Sequence, residues 1–294
     1  MITTSIIIPT YKRKESLRKL LRTLRGIVKA DEEVIVVEQA GSKEDLIQFF
    51  KNWKTPRFRY YNLTHPSMTK ARNLGASHAK GRYLVFFDDD VIVHKLCISN
   101  IVKPFIEDSV GAVAGRVIEP HKKIEKQNTY VGRITLLGKF TDGFSSTVKQ
   151  DVDTVMGCNF SVRKDIYEKI GGSDEKFTGN AIREESDLSL RIKEKGYRIV
   201  FEPTAMVTHL RIQTGGARKT EGRLSWYFHF FSNETYFILK HRPWILVPVI
   251  LGTRWEWIVR CMFGIGREVS LLSLTTPWRG IANGVGKYIK FIKL

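Results

Sequence analysis

The chain has 294 residues, 43% hydrophobic and 27% charged. It can bury a large core, and disordered, collagen-like and multi-span membrane classes are excluded. Forty-eight Lys and Arg against thirty Asp and Glu leave a net charge of +18, which implies an anionic partner: nucleic acid, nucleotide phosphates or an acidic membrane surface. Three scattered cysteines, Cys97, Cys158 and Cys261, exclude a disulfide framework or Cys-rich zinc site and fit a reducing cytosol.

The opening MITTSIIIPTYKR is not the pattern of a signal peptide, because its apolar run of Ile6, Ile7 and Ile8 ends at Pro9. Residues 5–8 read as a buried strand. Leu17, Leu20, Leu21, Leu24, Ile27 and Val28 then recur at helical spacing. EVIVV at 33–37 is a second strand, Leu46 to Phe50 a short helix, Phe58 to Tyr61 a third strand and Met68 to Lys80 a helix. YLVFF at 83–87 is another apolar strand. This alternation predicts an α/β fold whose mostly parallel sheet carries helices on both faces. In such sheets ligands bind beyond the carboxyl ends of the strands. Thr10 and Tyr11, Glu38 and Gln39, and Asp88, Asp89 and Asp90 are the polar residues found there.

Residues 111–163 turn to shorter strands and loops. Helices are predicted at 164–170 and 184–195, the second stopped by Gly196, and short strands at 198–201 and 205–207. A boundary near Arg211 separates residues 1–210 from 211–294. The second stretch has thirteen Lys or Arg, four Asp or Glu, and five of the six tryptophans. Such interleaving predicts an amphipathic helical tail for anionic lipid headgroups, with packing on the core as the alternative. Nucleic acid is disfavoured as a partner, since no DNA- or RNA-binding motif accompanies the charge. No clean 18-residue apolar stretch reads as a spanning helix.

No GxGxxG follows the first strand, and there is no P-loop, HExxH, GxSxG or CxxC. The main chemical signal is FFDDDV. Three carboxylates leave one strand end, and their mutual repulsion calls for a cation or donors to compensate. In an extended chain Asp88 and Asp90 point the same way. Oxygen ligands of this kind suit Mg²⁺ or Mn²⁺ shared with substrate phosphates.

Taken in order, SIIIPTYKR, VIVVE, KARNLGASHAKGRYLVFFDDDV, MGCNFSVRKDIYEKIGG and EESDLSLRIKEKGYRIVFEPTAMVTH resemble the family 2 glycosyltransferases of the GT-A fold across about residues 3–210. The resemblance implies a nucleotide pocket lined by Pro9, Thr10 and Tyr11, with Glu38 where the family usually has an Asp that reads uracil or thymine. It implies that Arg72 and Asn73 contact the donor, that Asp88 and Asp89 hold the ribose, and that Asp90, with Asp88 and His209, binds the metal. Lys12, Arg13 and Arg72 would add positive potential around the diphosphate.

The family's acid–base motif falls on Glu184-Glu185-Ser186-Asp187. It implies Glu185 as general base, with Glu184 an open alternative; in an isolated helix the same acids would simply offset the dipole. Gly157, Asn159 and Asp187 are the acceptor-side candidates. The implied function is inverting transfer of a sugar from a nucleotide-diphosphate donor, UDP or dTDP favoured, to a glycan or lipid-linked acceptor, by a cytoplasmic enzyme peripheral to the membrane. A sugar nucleotidyltransferase, or a decayed nucleotide-sugar-binding protein, are the competing readings.

Overall fold

The β-strands order themselves by burial. β1 (Thr4–Thr10) and β2 (Glu32–Gln39) are covered on both faces, as near-continuous apolar runs in a parallel sheet require. A computed structural model describes residues 2–39, 57–124, 127–212, 214–216, 222–242, 248, 252–263 and 270–293. The helix expected at 46–50 lies outside them. β3 (Phe58–Leu63), β4 (Tyr83–Phe87), β5 (Val91–Val93), β6 (Val110–Ile118), β7 (Gln150–Asp151), β8 (Asn159–Arg163) and β9 (Arg198–His209) complete the described strands. Their order is β3-β2-β1-β4-β8-β6-β9-β5, with β7 on β9. β3, β2, β1 and β4 are parallel, as are β6 and β9; β8 is inserted antiparallel between β4 and β6. The sheet is thus mostly parallel, as expected.

Helix α1 (Lys14–Arg25) buries Leu17, Leu20, Leu21 and Leu24, one apolar stripe at helical spacing. It ends at Gly26, so Ile27 and Val28 pack on the core from the following loop rather than from the helix. Helix α2 (Met68–His78) is N-capped by Ser67. Helices α3 (Cys97–Val102) and α4 (Lys164–Lys169) are short, and α5 (Glu184–Glu194) carries the acidic motif in its first turn.

The two short strands expected at 198–201 and 205–207 are one. β9 continues through a register shift between Gly115↔Glu202 and Arg116↔Met206. The irregularity takes up Pro203, which could not donate to a regular ladder.

The described part of the C-terminal stretch is helical and packs on the sheet domain. Helix α6 (Arg223–His241) buries every residue from Phe230 to Ile238. Its Tyr236, Phe237 and Ile238 cluster with Phe177 and Leu190. Lys240 reaches Asp174 and Asp187, each at 2.7 Å. Helix α7 (Trp255–Phe263) follows, then α8 (Leu271–Ile292), which begins with a Ser270–Ser273 capping box. Gly280 and Gly284 let α8 lie close on α6: a Cβ there would fall 2.7 Å from the Phe228 carbonyl and 2.6 Å from that of Ser232. Among the described residues no helix is long and apolar enough to cross a membrane.

Candidate active site

Two registers assemble the centre. Phe87 pairs with Asn159 across β4 and β8, bringing the Met156–Cys158 segment to the start of the Asp triplet. Val91 pairs with His209 across β5 and β9, setting the end of β9 beside Asp90. As a result Asp88, Asp90 and His209 offer ligand atoms all within 4.8 Å of one another. The His209 ring donates through Nε2 to Asp90 Oδ1 at 3.1 Å. Its buried Nδ1 has no hydrogen-bond partner among the described residues. Two carboxylates and an imidazole, one ring nitrogen of which is unsatisfied, are a donor set that could hold a divalent metal.

The compensation that three adjacent carboxylates demand comes largely from Arg13. Its Nη1 lies 3.1 Å from both Asp89 Oδ1 and Asp90 Oδ2. The guanidinium also donates to the carbonyls of Ile212 and Thr214. Arg13 is therefore committed to these carboxylates as well as lining the cavity. Burial pushes the Asp89 carboxyl up to about 7 against the pull of Arg13 and Thr10. For Asp90 burial acts the same way, but the hydrogen bond and charge of His209, the charge of Arg13 and the Ile212 amide outweigh it and hold the carboxyl below its ordinary value.

A cavity of about 260 Å³ opens here, lined by Pro9, Tyr11, Arg13, Gln39, Arg72, Asp88, Asp89, Asp90, Glu184 and Glu185. A second, of about 550 Å³, is lined by Met156, Gly157, Cys158, Phe140, Trp226, Phe230 and Trp257. Asp88, Glu185, His209 and Arg211 line both. Glu185 thus stands at the junction of the two cavities, and Gly157 makes room for it: a Cβ there would sit 2.1 Å from Glu185 Oε1. Glu184, one residue earlier, is buried and ion-paired with Arg72. Arg72 also donates to the Gly157 carbonyl at 3.0 Å and lies 4.0 Å from Asp88. It joins the acidic helix end to the Asp triplet.

Several expected site residues make hydrogen bonds within the protein. Thr10 gives its hydroxyl to Asp89 at 2.7 Å and is buried away from the cavity. Glu38 accepts from the Tyr60 hydroxyl at 2.5 Å. Strand alternation turns the next residue the other way, so Gln39 lines the first cavity, with a buried Oε1 that lacks a partner among the described residues. Asn73 ties the loop after α4, donating to the Ser173 carbonyl at 2.9 Å and accepting from Tyr167 Oη at 2.8 Å. Asn159, fully buried, donates to the Arg116 and Ala205 carbonyls.

Asp187 is buried beneath α6, bound by Arg191, Lys240 and His241. Burial pushes its carboxyl up, but the His241 hydrogen bond and the charges of Arg191 and Lys240 hold it far below the usual carboxylate range. A second latch joins Arg183 and Arg254 on either side of buried Glu234, at 2.6 and 2.7 Å.

The Glycosyl transferase family 2 model matches residues 5–171. The chain belongs to glycosyl transferase family 2. Similar proteins include the O-antigen biosynthesis protein RfbC of Myxococcus xanthus, 24% identical over 218 residues, which cover 70% of this chain and 17% of that protein. "Probable glycosyltransferase YdaM" of Bacillus subtilis (strain 168) is 27% identical over 214 residues, 69% of this chain and 49% of the relative. The chain thus spans half or less of the length of these relatives. A crystal structure of GalNAc-T7 with UDP, GalNAc and Mn²⁺ superposes with a TM-score of 0.63 at 13% identity, covering 87% of this chain and 54% of that one. This likeness establishes the shared GT-A fold.

The family 2 motifs locate the first cavity from sequence. They miss Arg211 and the aromatic wall of the second cavity, and Gln39 is marked only by its place at a strand end. The only signal for that wall was the tryptophan enrichment after residue 210.

Proposed function

We propose that this chain is an inverting glycosyltransferase that moves a hexosyl or deoxyhexosyl group from a nucleoside-diphosphate sugar to an acceptor hydroxyl. The observation that carries the reading is Glu185 at the junction of two cavities, with the Asp88–Asp90–His209 group on the same boundary. The smaller cavity takes the donor and the larger one the acceptor. Gln39, whose amide can both donate and accept, suits the edge of a uracil or thymine ring and supports UDP or dTDP. Asp88, Asp90 and His209 would hold Mn²⁺ or Mg²⁺, with the imidazole favouring Mn²⁺; when bound, the ion neutralises the charge that develops on the leaving diphosphate.

Glu185 takes the proton from the acceptor hydroxyl as that oxygen attacks the anomeric carbon from the face opposite the diphosphate. One displacement gives inversion and needs no protein nucleophile. Arg72 holds Glu184 and the Gly157 backbone in place, so that Glu185 is the carboxylate facing both substrates. Arg211 adds positive charge at the shared wall. The name of the Myxococcus relative, an O-antigen biosynthesis protein, supports a role in polysaccharide assembly with a glycan or lipid-linked acceptor. Exposed Trp278, Val285, Ile289 and Ile292 on α8, with Lys290 and Lys293 among them, support a peripheral seat on the cytoplasmic membrane face.

The test is an incubation with UDP- and dTDP-sugars in Mn²⁺ buffer, with candidate glycan and polyprenyl-linked acceptors, and NMR of the new linkage. Products with inverted anomeric configuration are expected. A retained configuration, or no turnover of any nucleotide sugar by transfer or hydrolysis, contradicts the reading.

A further inference from the structure

Both lips of the larger cavity carry exposed apolar groups that do not line it. One lip is a tight turn in the sheet domain, where Ile134 pairs with Phe140 and Thr135 N donates to the Lys139 carbonyl at 2.7 Å. Lys139 and Phe140 line the cavity, and at the tip Leu136 is 68% exposed, with Leu137 also exposed. The other lip is the start of α7, where Glu256 and Trp257 line the cavity. On the outer face of α7, Trp255, Val259 and Phe263 recur every four residues, one stripe of the helix, and Trp255 and Phe263 are 61% and 55% exposed.

The two lips are fastened together. Arg254 Nη2 donates to the Leu137 carbonyl at 3.2 Å and Arg183 Nη2 to that of Gly138 at 2.8 Å. From the end of α6, Arg242 Nη2 donates to the Thr135 carbonyl at 3.2 Å. The exposed leucines are therefore held in fixed relation to the helical stripe.

We propose that this turn and α7 form one apolar rim that seats the mouth of the acceptor cavity on an anionic lipid bilayer. The inference deepens the proposed function and rests on it for the meaning of the cavity. It reaches beyond a C-terminal anchor, because the leucine turn belongs to the sheet domain. Exposed contiguous apolar groups around a cavity mark an interaction surface. Charge selects the occupant: exposed Lys139 stands on one lip, exposed Arg260 beside Glu256 on the other, and the chain as a whole carries a net charge of +18, which anionic headgroups favour. A lipid-linked acceptor would then present its sugar upward, into the cavity and toward Glu185, from the surface that holds its tail.

The experiment is co-sedimentation of the full chain with vesicles of phosphatidylglycerol and phosphatidylcholine, and of phosphatidylcholine alone. The wild type is expected to partition onto the anionic vesicles. Leu136→Asp/Leu137→Asp should lower that partition about tenfold or more, since a leucine withdrawn from water is worth about that factor. The single Leu136→Asp, at the more exposed position, should lose several-fold with an unchanged thermal transition. UDP binding in Mn²⁺ buffer, followed by calorimetry, should be unchanged in both variants. Equal partition of wild type and both variants, or no wild-type binding to anionic vesicles, overturns the rim. Vesicle binding without binding of UDP or dTDP would sink the glycosyltransferase reading and leave the rim standing; nucleotide binding without vesicle binding does the reverse.

Discussion

The two cavities are built by different means. The smaller one sits at strand ends: Pro9 at the end of β1 and Tyr11 just after it, Gln39 at the end of β2, the Asp triplet after β4 and His209 at the end of β9. Backbone pairing within one sheet fixes these positions, and it brings together residues as far apart in sequence as Asp90 and His209. The larger cavity draws its walls from the 140 region, the 156–158 segment, α5, α6 and α7. Buried ion pairs hold it together, chiefly Arg183–Glu234–Arg254 and Asp187 with Lys240 and His241. On the proposed assignment of donor and acceptor, a sheet can keep the donor geometry unchanged while helices and latches vary, so one scaffold can serve many acceptors.

The largest effect should come where the two cavities meet. Glu185→Gln is expected to lower transfer turnover about 10³-fold, within the range of a lost general base, with UDP affinity unchanged by calorimetry. Equal loss for Glu184→Gln with Glu185→Gln near wild type would reverse the assignment.

Next in size, Glu234→Gln leaves Arg183 and Arg254 facing each other without their buried partner. It should cost about 3–5 kcal/mol of stability, read by urea unfolding, and should weaken the acceptor side more than nucleotide binding.

Asp187→Asn tests the other latch through pH. Because its folded carboxyl lies below the ordinary value, its contribution is fully present above the unfolded pKa of about 4 and is lost as pH falls through the folded value. The variant should be less stable than wild type at pH 7, and the two should converge in acid. A deficit that stays constant from pH 7 to pH 2 would contradict the latch.

The smallest expected effect is that of Trp257→Ala, which removes one ring of the Trp226–Phe230–Trp257 cluster. Acceptor KM should rise several-fold, about 1 kcal/mol for a lost aromatic contact, while donor hydrolysis keeps its rate.

The same contrast explains what the sequence could reveal. The Asp triplet, the acidic helix start and the late histidine were legible because each leaves a regular element at a predictable end. Even there the side-chain roles were less legible than the positions. Asn73, Asn159 and Thr10 carry family motifs yet spend their polar atoms on backbone or neighbouring carboxylates. Gln39 rather than Glu38 lines the cavity because a strand alternates its faces. Asp187 looks like part of the acidic cluster until α6, more than 35 residues later, covers it. Nothing local to Phe140, Trp226 or Trp257 states that they share one wall. That depends on the long-range latches, and the tryptophan-rich composition of the C-terminal stretch hinted only at their abundance.

The account turns on the Asp88–Asp90–His209 group receiving a nucleoside diphosphate together with a divalent ion, and calorimetry of UDP and dTDP with the full chain, with Mn²⁺ and with chelator, tests it most directly. One saturable site that needs Mn²⁺ and is lost in Asp90→Asn is the predicted result. Binding that is indifferent to both the metal and Asp90, or heat from neither nucleotide, would contradict it.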